Sequence, residues 1–199
     1  MTSDARTAYA HRAAEYIELL GAMSTVHPVD ERLVTSWATS LDGKVLDAGC
    51  GPGHWTAHLV AQGVEASGVD QVPEFIESAR RQHPDGSYSL GDLDALPQAD
   101  ASLTGILSWY SLIHHAPDTI RVPLREFARV LRPGGGLLLG FFAWPTLEEF
   151  DHAVVGAYRW PADRLAAEVE AAGFTIVETH TRTSPGQRPH GALVARRSS

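Results

Sequence analysis

Three aspartates, three glycines and two adjacent histidines carry the chemistry this sequence can offer. Asp47 opens the run Asp47-Ala48-Gly49-Cys50-Gly51-Pro52-Gly53, which follows the apolar Val45-Leu46. Glycine reaches backbone angles closed to other residues and leaves no side chain between an amide and a ligand. A strand, a glycine turn and a helix N-terminus form a cradle for a polar cofactor. The N–H groups and dipole of the helix favour a phosphate or a carboxylate there. Gly49 and Gly51 match the first two glycines of a dinucleotide turn, but His54 stands at the third position. Asp70 lies roughly 20 residues beyond the turn, where such folds place the acid that binds ribose hydroxyls. A carboxylate there accepts two hydrogen bonds from a cis-diol. His114 and His115 are candidate bases, because imidazole takes a proton near neutral pH. Neighbours on one turn face different ways, so one is expected toward the crevice and one elsewhere. No metal is implied: the 10 histidines include no H-E-x-x-H pair, and Cys50 is alone.

These residues need elements to position them. Arg6 to Leu20 reads as a helix, with Tyr9, Ala13, Tyr16 or Ile17 and Leu20 at helical spacing and Gly21 as its stop. Asp30 caps a second helix to about Thr39. Val45 to Ala48 begins the first strand, and His54 to Ala61 is a helix stopped by Gly63. Val64 to Val69 is the second strand. Pro73 opens a helix to about His83, and Ser87 to Leu90 is the third strand. Leu103 to Trp109 is the fourth, followed by Tyr110 and Ser111. Asp118 caps the next helix, Arg132-Pro133-Gly134-Gly135 ends it, and Gly136 to Phe142 is the fifth strand. Ala143 to Trp160 is a long irregular stretch rich in aromatic rings, expected to be a substrate wall or lid. A helix over Pro161 to Ala172 and strands over Phe174 to Thr179 and Gly191 to Arg196 close the chain. Alternating strands and helices, then two strands in succession, imply a mainly parallel sheet with an antiparallel last strand.

The D-x-G-x-G-x-G pattern with Asp47 resembles motif I of the class I S-adenosylmethionine-dependent methyltransferases. Gly91-Asp92-Leu93 after the third strand resembles that family's G-D motif. Leu112-Ile113-His114-His115-Ala116-Pro117-Asp118 and Val130-Leu131-Arg132-Pro133-Gly134-Gly135 resemble two further signatures of the family. The resemblance runs from about Lys44 to the C-terminus. It implies a Rossmann-like, seven-stranded, mostly parallel sheet with helices on both faces, in one domain of residues 1–199. Residues 1–43 form a helical cap and residues 44–199 the core. It implies S-adenosyl-L-methionine as cofactor, leaving as S-adenosyl-L-homocysteine, and a small-molecule methyl acceptor. The cofactor residues carried over are Tyr16, Asp47, Gly49, Gly51, Gly53, Trp55, Asp70, Gln71, Asp92, Leu93 and Ser108. Tyr9, Trp109, Tyr110, Trp144, Tyr158 and Trp160 are the expected acceptor pocket.

Composition bounds the alternatives. The chain has 199 residues and a net charge of -8, with Lys44 its single lysine. A nucleic-acid surface needs clustered basic residues, so no nucleic acid is expected as partner. One cysteine suits a reducing compartment. No apolar signal core opens the chain and no run is long enough to span a membrane, so a cytoplasmic monomer or homodimer is expected. A nicotinamide oxidoreductase on a similar sheet is the main rival; His54 and the lack of a Tyr-x-x-x-Lys pair count against it. A cofactor-binding module without catalysis is the other.

Overall fold

A chain whose short apolar runs alternate with helical stretches buries both by laying the runs side by side under helices. The computed structural model describes residues 7–10, 12–152, 155–184, 186 and 188–199 and has that arrangement. Helices α1 (Ala13–Leu20) and α2 (Pro28–Thr39) precede strand β1 (Val45–Ala48). Then follow α3 (His54–Ala61), β2 (Ala66–Asp70), α4 (Pro73–Gln82), β3 (Ser87–Leu90), β4 (Leu103–Trp109), α5 (Arg121–Val130) and β5 (Leu131–Phe142). A hairpin of β6 (Glu148–Phe150) and β7 (Ala157–Arg159) leads to α6 (Ala162–Ala171), β8 (Phe174–Arg182) and β9 (His190–Arg197). The main sheet has seven strands in the order β3-β2-β1-β4-β5-β9-β8. Strands β1 to β5 pair in parallel, and β9 runs antiparallel to both β5 and β8. Chain order reverses between β1 and β4, and ligands of such sheets bind outside the carboxyl ends of the strands at that point.

Alternation along the strands fills both faces. Ile106, Leu137, Leu139 and Leu193 pack with Leu124 and Phe127 of α5 and Leu165 and Val169 of α6. Leu107, Leu138 and Ala192 point the other way, onto Val34 and Trp37 of α2 and Trp55 and Leu59 of α3. A one-residue slip would exchange the two sets, so burial on both faces fixes the register. Tyr9 and Ala13 pack on Val72 and Phe75 at the start of α4, which lays the N-terminal segment beside the crevice.

Several boundaries differ from the sequence reading. Arg6 lies outside the described residues; residues 7–10 are helical, and a turn at Arg12 separates them from α1. Helix α2 is capped by His27, whose Nδ1 accepts the Val29 N–H at 3.2 Å. Asp30 is thereby released from capping and pairs with Arg182 Nη2 at 2.7 Å. Helix α5 starts at Arg121, beyond Asp118, because Ile120 takes the cap position. The Arg132–Gly135 run bulges within β5: Leu103 faces Leu131, and Gly105 next faces Gly136. The stretch after β5 is partly ordered by the β6–β7 hairpin, where Arg159 Nη2 meets Glu148 Oε1 at 2.6 Å. Among the described residues no helix is long and apolar enough to cross a membrane.

Candidate functional site

The carboxyl ends of β1 and β2 are tied together by one buried side chain. Asp70, the last residue of β2, accepts the Gly51 N–H on Oδ2 and the Val72 N–H on Oδ1, each at 2.9 Å. The Gly49 and Cys50 N–H groups donate to the Val69 carbonyl at 2.8 and 3.0 Å. These turn amides therefore face protein acceptors; the sequence expectation of an anion concerns the N–H groups at the start of α3. Asp47, in β1, is 1 % exposed and accepts the Thr56 hydroxyl at 2.7 Å. Burial pushes its carboxyl up to about 7; the Thr56 hydrogen bond opposes this and the nearby Asp70 adds to it. Burial also raises Asp70, against the N–H groups of Val72, Gly51 and Gln71.

Two cavities meet here. A narrow cleft is lined by Gly49, Gly51, Asp70, Gln71, Val72, Phe75 and Leu93. A cavity of about 600 Å³ takes in Asp30, Asp47, Trp55, Ile113, Phe142, His152 and Arg182. Both are also lined by Tyr9, Tyr16, Trp109 and Tyr110. That size is ordinary for a small-molecule site. Among the described lining residues the one Lys or Arg is Arg182, and Asp30 neutralises it. Among the described residues Asp47 and Asp70 have no basic partner, so ionising them is favoured by a ligand that brings positive charge. Trp55 and Trp109 meet edge-on with centroids 5.8 Å apart, and aromatic faces add to the attraction for a cation.

Two glycines of the turn serve different ends. Gly51 has φ +52, and a Cβ there would meet nothing within 4 Å: it faces the open cavity. Gly53 has φ +86, and a Cβ there would lie 2.7 Å from Tyr88 Cε1 and 2.8 Å from Ala79 Cβ. It allows α3 to start close against α4 and β3.

The histidines separate. His114 lines the narrow cleft, its Nδ1 2.9 Å from the Gly156 carbonyl and its Nε2 2.9 Å from the Tyr9 hydroxyl. A carbonyl only accepts, so the ring proton sits on Nδ1 and Tyr9 donates to Nε2. Burial lowers the His114 pKa and keeps the ring neutral. His115 turns its Nε2 to Asp94 Oδ1 at 3.0 Å, on the protein side of the turn.

The remaining predicted residues are placed as follows. Tyr16, Gly49, Gln71 and Leu93 line the cleft, and Trp55 lines the larger cavity. Ser108 is buried beneath it with Oγ 2.7 Å from Ser111 Oγ. Asp92 is exposed and accepts the Asp94 N–H at 3.0 Å. Three predicted pocket residues line neither of the two cavities. Trp160 is in the core beneath α6, because its backbone bridges to Ala143 and directs the ring inward. Tyr158 packs against that core, its N–H on the Ile113 carbonyl at 2.7 Å. Trp144 is covered by the Arg159 guanidinium, 3.8 Å from the ring centroid. Phe142 and His152 take their place in the cavity. Sequence reasoning also missed a chain of polar groups at its far end: Tyr110, His190, Asp30 and Arg182. The Tyr110 hydroxyl bonds His190 Nδ1, and His190 Nε2 lies 3.5 Å from Asp30 Oδ1. Arg182 and His190 are cross-strand partners at the mouth of the β8–β9 hairpin, a pairing that only the hairpin register reveals.

Known proteins share parts of this sequence and its fold. Residues 45–135 match a family model described as a methyltransferase domain. Malonyl-(acyl-carrier protein) O-methyltransferase of Erwinia billingiae is 36% identical over 121 residues, 60% of this chain and 47% of that protein. Methyltransferase GfsG of Streptomyces halstedii is 36% identical over 180 residues, 82% of this chain and 64% of that one. The chain thus spans about half the length of most of the curated relatives it matches. Among solved structures, Burkholderia thailandensis 1,6-didemethyltoxoflavin-N1-methyltransferase superposes with a TM-score of 0.76 at 22% identity. The match covers 100% of this chain and 92% of that one, which was crystallised with S-adenosylhomocysteine and 1,6-didemethyltoxoflavin.

Two predictions follow from the turn. Gly51→Ala should cost about 1–2 kcal/mol of stability from the left-handed backbone alone. It should weaken S-adenosylhomocysteine at least about tenfold in titration calorimetry, because the methyl group enters the cavity. Gly53→Ala should lower the unfolding midpoint further, by about 1–3 kcal/mol of overpacking against Tyr88 and Ala79, with affinity less affected. Wild-type affinity in Gly51→Ala would show that the ligand does not approach this turn. The second concerns Asp47. Its folded-state pKa is raised from 3.8 to about 7. The stability this provides is complete below the unfolded value and lost as pH rises through the folded one. The unfolding midpoint of Asp47→Asn should therefore gain on wild type from about pH 4 to about pH 7 and then level off. A pH-independent difference in scanning calorimetry would mean that Asp47 is ionised throughout.

Proposed function

We propose, from the chain's likeness to methyltransferases, that it belongs to the class I S-adenosylmethionine-dependent methyltransferase family and transfers a methyl group from S-adenosylmethionine to a small-molecule acceptor. The observation that carries this reading is the pair of buried carboxylates, Asp47 and Asp70, with no basic partner at an open glycine turn. S-adenosylmethionine brings a sulfonium and an ammonium against one carboxylate, a net positive charge that such a wall favours; a nicotinamide dinucleotide shares the ribose that Asp70 suits but brings a pyrophosphate and no ammonium. The cofactor, when bound, supplies an activated methyl group. The chain's own residues bind and orient it, exclude water and hold the acceptor in line, which can provide on the order of 7–11 kcal/mol of barrier reduction.

In this reading Asp70 holds the ribose hydroxyls. Each of its oxygens already accepts one N–H and retains a lone pair for a hydroxyl. Asp92 takes the adenine edge with Leu93 against the ring, and Gln71 flanks the ribose. Gly49, Gly51, Tyr16 and Trp55 close the cofactor side, while Gly53 and Ser108 support it from behind. Asp47 faces the ammonium end. Tyr9, Trp109 and Tyr110, joined by Phe142 and His152, form the acceptor wall. His114 positions Tyr9, since both its ring nitrogens are engaged. We place the protein in the cytoplasm as a monomer or homodimer acting on neither nucleic acid nor membrane, supported by its net charge of -8 and one buried cysteine. Residues 1–43 act as a cap on a core of residues 44–199.

The test has two steps. S-adenosylhomocysteine should bind in titration calorimetry and NAD should not; the reverse would move the chain to the oxidoreductases. A labelled-methyl assay over an acceptor panel separates turnover from binding alone. Asp70→Asn keeps one acceptor oxygen for the turn but loses the charge-assisted bonds to the diol, worth about 1.5–3 kcal/mol each. It should weaken S-adenosylhomocysteine at least about tenfold with the fold retained. Unchanged affinity would remove Asp70 from the ribose site.

A further inference from the structure

We propose that Tyr110, His190 and Asp30 form a proton relay that deprotonates the methyl acceptor, which therefore enters as a neutral molecule bearing a hydroxyl. This rests on the methyltransferase reading above. Tyr110 follows β4 directly and lines both cavities. It is held at φ +57, an uncommon angle for a residue with a side chain, and such strain collects at functional sites. Its N–H donates to the Gly140 carbonyl at 3.1 Å and its ring packs on Phe142 with centroids 4.8 Å apart. The ring so held gives its hydroxyl to His190 Nδ1.

His190 is 5 % exposed. Asp30 Oδ1 faces Nε2 at 3.5 Å and, as a carboxylate, only accepts, so the ring N–H is assigned to Nε2 and Nδ1 accepts the Tyr110 proton. Asp30 is fixed in turn by Arg182 at 2.7 Å. Hydroxyl, imidazole and carboxylate stand in the order of a base with its orienting acid. The charged and titratable groups around the ring are His27 and Asp30 at the start of α2, and His180 and Arg182 on β8. Burial lowers the His190 pKa to about 4 and raises that of Tyr110, so the resting pair is neutral; Asp30 opposes this by favouring the charged ring that the relay forms. His114 is held by Tyr9 in a similar way, but its other nitrogen faces the neutral Gly156 carbonyl where His190 faces a carboxylate, so a charged His114 ring has no counter-charge.

The step balances. The acceptor hydroxyl gives its proton to Tyr110 Oη as Tyr110 gives its own to His190 Nδ1. The acceptor oxygen keeps the O–H electron pair and uses it for the new O–C bond. The C–S pair stays on the sulfur of departing S-adenosylhomocysteine. One positive charge is lost at sulfur and one appears on His190 opposite Asp30, so the charge of the cavity is unchanged.

Tyr110→Phe and His190→Gln test the relay. Wild type and both variants should bind S-adenosylhomocysteine within about twofold of each other. No binding by wild type would sink the methyltransferase reading and not the relay specifically. Nitrogen-15 NMR of the imidazoles in that complex should show His190 as the Nε2–H form, with its Nδ1 resonance shifting in Tyr110→Phe. An Nδ1–H ring, or no response to Tyr110→Phe, would overturn the relay. With 4-methylphenol as probe, both variants should lose about 10²- to 10⁴-fold in methyl transfer. With 4-methylthiophenol, ionised without help, the loss should stay below about tenfold. Equal losses on the two probes, or none on the phenol, would also overturn it. If wild type methylates neither, the NMR result decides.

Discussion

A carboxylate buried among backbone amides governs this site. Asp70 ends β2, and its two oxygens take the Gly51 and Val72 N–H groups, so the turn after β1 and the start of α4 are set by one side chain. Hydrogen bonds to an ionised acceptor are about twice as strong as neutral ones, so the link is firm. It carries a second consequence. Amides spent on Asp70 are no longer available to an anion, and the charge left facing the crevice is negative. Under the proposed function the glycine turn seats a cation-bearing ligand, although its pattern of glycines is shared with folds that bind phosphates.

The surroundings agree with that polarity. Asp47 lies under the same turn, buried enough that its proton is held to about pH 7. Aromatic rings outnumber basic residues in the walls, and Arg182, the one Lys or Arg among the described lining residues, is spoken for by Asp30. The cofactor end and the acceptor end are therefore electrically distinct. One has uncompensated carboxylates. The other has a neutral polar chain running from Tyr110 to Arg182, suited to moving a proton without changing net charge.

Much of this was legible in the sequence. Strands β3 and β4 begin and end where apolar alternation and turn residues say they do, and Asp47, Asp70 and the glycines are placed by local spacing alone. Helix starts were less legible, because an imidazole at His27 caps α2 where an aspartate is the commoner choice. The aromatic residues after β5 misled for a different reason. Whether Trp144, Tyr158 or Trp160 faces the cavity depends on the register of the β6–β7 hairpin and on a bridge between Ala143 and Trp160, neither of which has a local signal. The Tyr110–His190 and Asp30–Arg182 contacts join residues 80 and 152 positions apart, and only the closed sheet brings them together.

The claim at the centre of this account is that uncompensated buried carboxylates select a cationic cofactor. Titration of S-adenosylhomocysteine, which carries an ammonium, near pH 6.5 in buffers of differing ionisation enthalpy tests it most directly. Asp47 is largely protonated there in the free protein and should ionise as the ammonium arrives, because an opposite charge favours the charged form. The account predicts release of a fraction of a proton per ligand bound, abolished in Asp47→Asn. Binding with no proton release, or release that persists in Asp47→Asn, would contradict it.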